Sequence, residues 1–287
     1  MNRPLIWQNR APVPSYLYPP VGVAVNGQLY AIGRYAIDGR FHAAIYGPAS
    51  DTWTMRPGSI DGQWTNFPQS VAAGTNGKIY VAINSLAGNP DLLEYDPAAD
   101  TWRTRASAPV VLSAYSWVAG RDGRLYLIGG SDSGGPGTTV EAYDPNADRW
   151  TAAAPLPVAV ESPSVAATSD GKIYVFGNDL IEIYSPTSNS WTILSATSLV
   201  TPMMGAVQAS NGKIYLAGGP YNPYTMSVSN AVLVYDPRTN LWEDQTPLSW
   251  GKQSPSLVTP NGTDLYLLGG WTGASYDVRM EEATTPQ

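Results

Sequence analysis

The feature that most constrains this chain is an internal repeat. Five times it runs Asn-Gly or Asp-Gly, two residues, Tyr: Asn26-Gly27 to Tyr30, Asn76-Gly77 to Tyr80, Asp122-Gly123 to Tyr126, Asp170-Gly171 to Tyr174, and Asn211-Gly212 to Tyr215. A sixth copy, Asn261-Gly262 to Tyr266, carries one extra residue. These dipeptides accept positive φ and are flanked by apolar runs, so each is expected to close a β-hairpin through a two-residue turn. A second Tyr follows at Tyr46, Tyr95, Tyr143, Tyr184 and Tyr235, and seven residues after each stands Trp53, Trp102, Trp150, Trp191 or Trp242. That constant spacing predicts a fixed turn between two further strands.

Four strands per unit at a period of 41 to 51 residues is the length of a propeller blade, and a lone blade cannot bury both faces. The expected fold is therefore all-β, a single six-bladed β-propeller over 1–287, with antiparallel blades near 14–57, 65–107, 113–155, 161–196, 203–247 and 253–284. Near the C-terminus, Tyr276-Asp277 reads as the start of a third strand, DVRMEEA, with Ala283 where a Trp is due. Trp7, in LIWQNRAP, has no earlier strands to belong to, so segment 4–11 is expected to complete the last blade. Many Gly, Pro, Tyr and Trp and only 3 Phe suit short strands and many turns.

An apolar strand ending in Gly-Gly, then Tyr-Asp, then Trp resembles the Kelch repeat, and the resemblance covers essentially the whole chain. The doublet stands at Gly129-Gly130, Gly218-Gly219 and Gly269-Gly270 and is altered to Gly33-Arg34, Ile83-Asn84 and Gly177-Asn178. The resemblance implies a propeller but no single activity, because such scaffolds host many.

Net charge −7 disfavours a nucleic-acid partner, which needs clustered cations. Zero Cys and one His leave no thiolate chemistry and no ordinary transition-metal set, so no metal and no cofactor are expected. The opening residues lack a signal-peptide pattern and no run is long enough to span a bilayer, which points to a soluble cytoplasmic protein without a membrane partner.

If the strands a to d of a blade alternate in direction, the b–c and d–a loops share one rim. The interval from the second-strand Tyr to the next repeat Tyr varies from 10 to 20 residues, so the variation, and with it binding, is expected on that rim. It carries RYAIDGRFH, SDSGGPG, PYNPYTMSVSN and WTGAS. Aligned residues Leu17, Phe67, Ser113, Glu161, Pro202 and Lys252 place one anion and one cation near the mouth of an axial channel. Arg34 stands where the repeat favours Gly and is expected to reach the site. Tyr18, His42, Trp64, Tyr115, Trp117, Asn178, Tyr221, Trp250 and Trp271 are the expected ligand contacts, four of them Trp outside the repeating series. The aspartates after the repeat Tyr (Asp96, Asp144, Asp236) read as turn caps.

Two functions fit. One is a scaffold that binds a small molecule or peptide. The other is a cofactor-independent mutarotase, isomerase or cyclase using Glu161 with Arg34 or Lys252, implied by the resemblance to bacterial six-bladed Kelch proteins of the sialic acid mutarotase type. Copper oxidases and iron-dependent specifier proteins of similar architecture need ligand sets that one His and no Cys do not supply.

Overall fold

A computed structural model describes residues 4–60, 68–83, 90–110, 112–196 and 200–286. The described chain forms six four-stranded antiparallel sheets, the blades of a six-bladed β-propeller. Two compact units hold three blades each: Gly58–Pro202 contains blades 2, 3 and 4, and Met1–Pro57 with Met203–Gln287 contains blades 5, 6 and 1.

The second strand of each blade pairs with the first and the third strand of its own sheet. Ile79–Ile83, Ile173–Gly177 and Ile214–Gly218 are accordingly buried at every residue and read as continuous apolar runs. In the first unit Leu29, Ala31 and Ala44 of blade 1 pack on Tyr266, Leu268 and Met280 of blade 6. In the second, Tyr80 and Leu92 of blade 2 pack on Leu125 and Leu127 of blade 3.

The repeated dipeptides do close hairpins, but mostly not by the expected turn. Only Asn26 (φ 50) and Gly27 (φ 75) form a two-residue turn with both angles positive. Elsewhere Gly77 N–H donates to Gly74 O at 3.0 Å and Gly74 N–H to Lys78 O at 2.8 Å, and the same pattern recurs at Gly123, Gly171 and Gly212. There only the Gly has positive φ, which makes a three-residue loop with the Gly in the left-handed position. Asn76 instead accepts Lys78 N–H and donates to the Tyr80 hydroxyl.

Blade 6 is shared by both ends of the chain, as expected. Gln8–Arg10 pairs antiparallel with Met280–Thr284, Gln8 opposite Glu282 and Arg10 opposite Met280, and Val13 N–H reaches Val278 O at 2.8 Å. The register corrects one expectation. Ala283, opposite Leu265, holds the place that Tyr143 holds opposite Leu125 in blade 3, so Tyr276 is a loop residue and not the repeat Tyr. Trp7, one residue before Gln8, is then the sixth member of the Trp series.

The seven-residue spacing has a physical cause. Five residues after each repeat Tyr stands an Asp or Asn with positive φ: Asp51, Asp100, Asp148, Asn189 and Asn240. Each accepts its Tyr hydroxyl, at 2.6 to 2.9 Å. Four also accept a backbone N–H from the last residues of the preceding outer strand or the stretch just past it: Ala11 to Asp51, Gly58 to Asp100, Ala106 to Asp148 and Ala154 to Asn189. The Trp two residues further on donates its indole N–H to the carbonyl of that same residue. Trp7 keeps this bond, to Thr246 O at 3.1 Å, and packs beside the cluster that contains Leu5, Leu248 and Ala283. Asp96 and Asp144 cap the turn in between, each accepting two backbone N–H groups.

Trp7→Ala removes a half-buried ring and its hydrogen bond, and is expected to cost about 2–3 kcal/mol in urea denaturation. A loss under about 0.5 kcal/mol would show that blade 6 does not depend on this residue.

Candidate functional site

Loops of blades 1, 5 and 6 bring aromatic side chains together in the first unit. In blade 6, Trp271 is held by a β-bridge to Gln253 on one side and to Tyr276 on the other. The connecting WTGAS loop is tied by Thr272, whose N–H and hydroxyl both donate to Ser275 O, with Gly273 at φ 94. Tyr276 meets Tyr18 of blade 1 edge-on at 5.4 Å, and Trp271 meets Tyr221 of blade 5 edge-on at 5.6 Å. Tyr18, Tyr276, Trp271 and Tyr221 thus form a row across three blades. Tyr18 and Tyr276 are 36% and 39% exposed, too open for core packing alone.

Blade 1 extends the aromatic set. Its hairpin Gln28–Tyr35 to Phe41–Gly47 continues past the altered doublet, and Arg34 pairs with Phe41 in the ladder. The Arg34 Nε donates to Gly39 O at 2.9 Å, so the side chain braces its own hairpin tip. His42 Nε2 meets Asp38 Oδ2 at 3.0 Å, its ring lies 5.1 Å from Tyr35, and its buried Nδ1 has no partner. Partial burial would raise the Asp38 carboxyl pKa, but the Arg40 N–H and His42 hold it below its ordinary value.

Lys252 does not stand open at a mouth. It is 0% exposed, with Nζ 3.1 Å from Asp277 Oδ2 and 2.7 Å from Arg279 O. Burial lowers its pKa against the pull of Asp277. Asp277 also accepts Arg279 Nε at 2.8 Å, and the Arg279 guanidinium lies 4.3 Å over the Trp250 ring. Burial pushes the Asp277 carboxyl up, yet the hydrogen bonds from Arg279 and the Lys252 charge more than offset this and keep it below its usual range. Glu281, also buried, accepts Ser249 N–H at 3.1 Å. These groups hold the 5–6 loop against blade 6 and orient Trp250.

In the second unit, exposed Glu161 accepts a bond from Ser131 Oγ at 3.3 Å. Tyr115 and Trp117 are buried in the core between blades 2 and 3, so neither presents a surface to a ligand, and burial raises the Tyr115 hydroxyl pKa. Asn178 (φ 52) and Asp179 (φ 58) form a two-residue hairpin turn between paired Gly177 and Leu180. That is a structural reason for Asn in place of the second Gly, and its amide also donates to Ala159 O. Trp64, like Phe67 and Asn84, lies outside the described residues.

The Kelch motif matches residues 118–157 and 204–249, which fall on blades 3 and 5. Six blades of this topology define the class: the chain is a six-bladed β-propeller, and its third and fifth blades carry the Kelch motif. Among solved structures, YjhT superposes with a TM-score of 0.71 at 17% identity, covering 94% of this chain and 95% of that one. A fungal alcohol oxidase of the AA5 family, solved in complex with copper, superposes with a TM-score of 0.65 at 15% identity over 100% of this chain and 76% of that one. At such identities the likeness is one of fold. No curated protein matches the sequence. Among the described residues no His, Cys, Asp and Glu are grouped in threes to hold a metal, and no helix is long and apolar enough to cross a membrane.

Lys252→Met leaves Asp277 buried with one cation fewer and is expected to destabilise the fold by about 3 kcal/mol. Because the folded pKa of Asp277 lies below its unfolded value, its contribution is complete above about pH 4 and is lost as pH falls through the folded value. An equilibrium denaturation series from pH 3 to 7 checks both. A Lys252→Met variant as stable as the parent at pH 7 would contradict the structural role.

Proposed function

We propose that this chain is a binding propeller whose ligand face is built from the loops of blades 5, 6 and 1. The observation that carries the reading is the row Tyr18–Tyr276–Trp271–Tyr221. Rings that meet edge-on and stay partly exposed offer large, rigid, amphipathic contact area at little cost in side-chain entropy. Such a surface suits a small molecule with an apolar face, or a peptide segment carrying aromatic or proline side chains. Arg34, His42 and Asp38 add polar groups on blade 1, and Trp250 with Arg279 adds a cation stacked on an aromatic ring.

The alternative, a cofactor-independent isomerase, draws support from enzymes on similar folds, the alcohol oxidase among them. The side chains give it less. Lys252 is committed to Asp277, Arg34 to its hairpin tip, and Glu161 accepts a hydrogen bond from Ser131 with no cation paired to it among the described residues. The copper of that oxidase is not carried over, since its chemistry needs a ligand set that one His and no Cys do not make.

Screening a metabolite and peptide library by tryptophan fluorescence, with Trp271→Ala and Tyr18→Ala beside the parent, tests the proposal. Each substitution is expected to weaken the best hit about tenfold or more, equivalent to about 1.4 kcal/mol, with thermal stability little changed. Glu161→Gln is expected to leave affinity unaltered. Hits insensitive to Trp271 and Tyr18, or conversion of a hit that disappears in Glu161→Gln, would contradict the reading.

A further inference from the structure

The outer strand of every blade presents a sheet edge, and edges are usually guarded by charge, proline or a bulge. Five of the six are guarded. Thr52–Ile60 contains Arg56 and Pro57, Thr101–Arg105 contains Arg103 and Arg105, Arg149–Ala152 begins with Arg149, Leu241–Asp244 ends in Glu243 and Asp244, and Gln8–Arg10 ends in Arg10. Blade 4 differs. Its outer strand, Ser190–Ser195, reads Ser-Trp-Thr-Ile-Leu-Ser, and residues 183–212 contain no Asp, Glu, Lys or Arg.

We propose that Ser190–Ser195 is a pairing edge through which two copies of the chain join as an antiparallel, twofold-related dimer centred on Ile193. The phase of the ladder supports that centre. Ala196 N–H donates to Asp179 O at 2.8 Å, and the pairing runs from Leu180 opposite Ser195 to Ser185 opposite Ser190. Alternation then turns the peptide groups of Ser190, Thr192 and Leu194 inward and those of Trp191, Ile193 and Ser195 outward. The outward groups have no backbone partner among the described residues. Ile193 is 45% exposed, a large β-branched residue on an open edge.

Laid antiparallel on itself, the strand sets Ile193 opposite Ile193 and Trp191 opposite Ser195, and the outward groups form about six hydrogen bonds. A second copy is the occupant because the edge has no charge for a different partner to complement. Laid on themselves about their charged residues, the other five would set like charges opposite one another, which is destabilising. One strand pair buries less than the about 1,200 Å² of a standard interface, so association in the range of about ten to several hundred micromolar is expected. The inference is independent of the ligand face.

Sedimentation velocity over about 5–500 μM tests it. The parent chain is expected to move from monomer to dimer across this range. Ile193→Lys, which places two ammonium groups opposite each other on an exposed position, is expected to stay monomeric with an unchanged circular dichroism spectrum and melting temperature. Ile193→Val is expected to dimerise, and so is Tyr224→Ser, which alters the separate exposed tip on blade 5, where Tyr224 is 94% exposed. A parent that is monomeric at about 500 μM, an Ile193→Lys variant that associates like the parent, or loss of the dimer in Tyr224→Ser would overturn the proposal.

Discussion

Blade 6 depends on the pairing of Gln8–Arg10 with Met280–Thr284, and the proposed ligand face depends on blade 6. Without that strand the blade has no outer member, Trp7 cannot reach Thr246, and the ion pair between Arg10 and Glu282 is lost. Trp271 and Tyr276 sit in the loop that leads into Met280–Thr284, and Trp250 is oriented by Arg279, one residue before it. An interaction between chain ends therefore positions the side chains of the proposed ligand face. Closing so long a loop costs entropy that only slowly increases with length, so one short strand reinforced by a Trp and a charge pair is enough.

The same economy appears between neighbouring blades of each unit. One Asp or Asn in the left-handed region joins a Tyr hydroxyl to the previous blade, and the following Trp joins the same point from its indole. Both bonds end on one residue, Ala106 in the case of blade 3, so the backbone there has donor and acceptor satisfied while the aromatic rings pack beside it. That explains why the Tyr-to-Trp spacing does not vary although loop lengths do.

Most of the fold was legible because its constraints are local and repeated: a Gly that must take positive φ, a Tyr and a Trp at fixed separation. The Asp or Asn five residues after each Tyr was equally readable, yet its role became clear only from its position against the neighbouring blade. Tyr276-Asp277 misled because it copies the repeat dipeptide by composition, whereas register depends on which residue faces Leu265. The site was less legible for a physical reason. Trp117 and Trp271 both fall outside the repeating Trp series, but one points into the core between blades and the other lies in an open loop, and side-chain direction in loops is set by contacts that spacing does not encode. Lys252 shows the same limit, since Asp277 and Arg279, which hold it, follow more than twenty residues later.

The resulting molecule divides its labour. Repeated turns and clamps make a rigid frame, and irregular loops on blades 5, 6 and 1 carry aromatic surface. Because the frame in that region rests on the shared blade, native-state hydrogen exchange of its outer strand is the most direct measurement. The strand-facing amides within Gln8–Arg10 are predicted to exchange as slowly as those of Met280–Thr284, through the same cooperative unfolding. Exchange of Gln8–Arg10 within seconds, while Met280–Thr284 stays protected, would contradict the account.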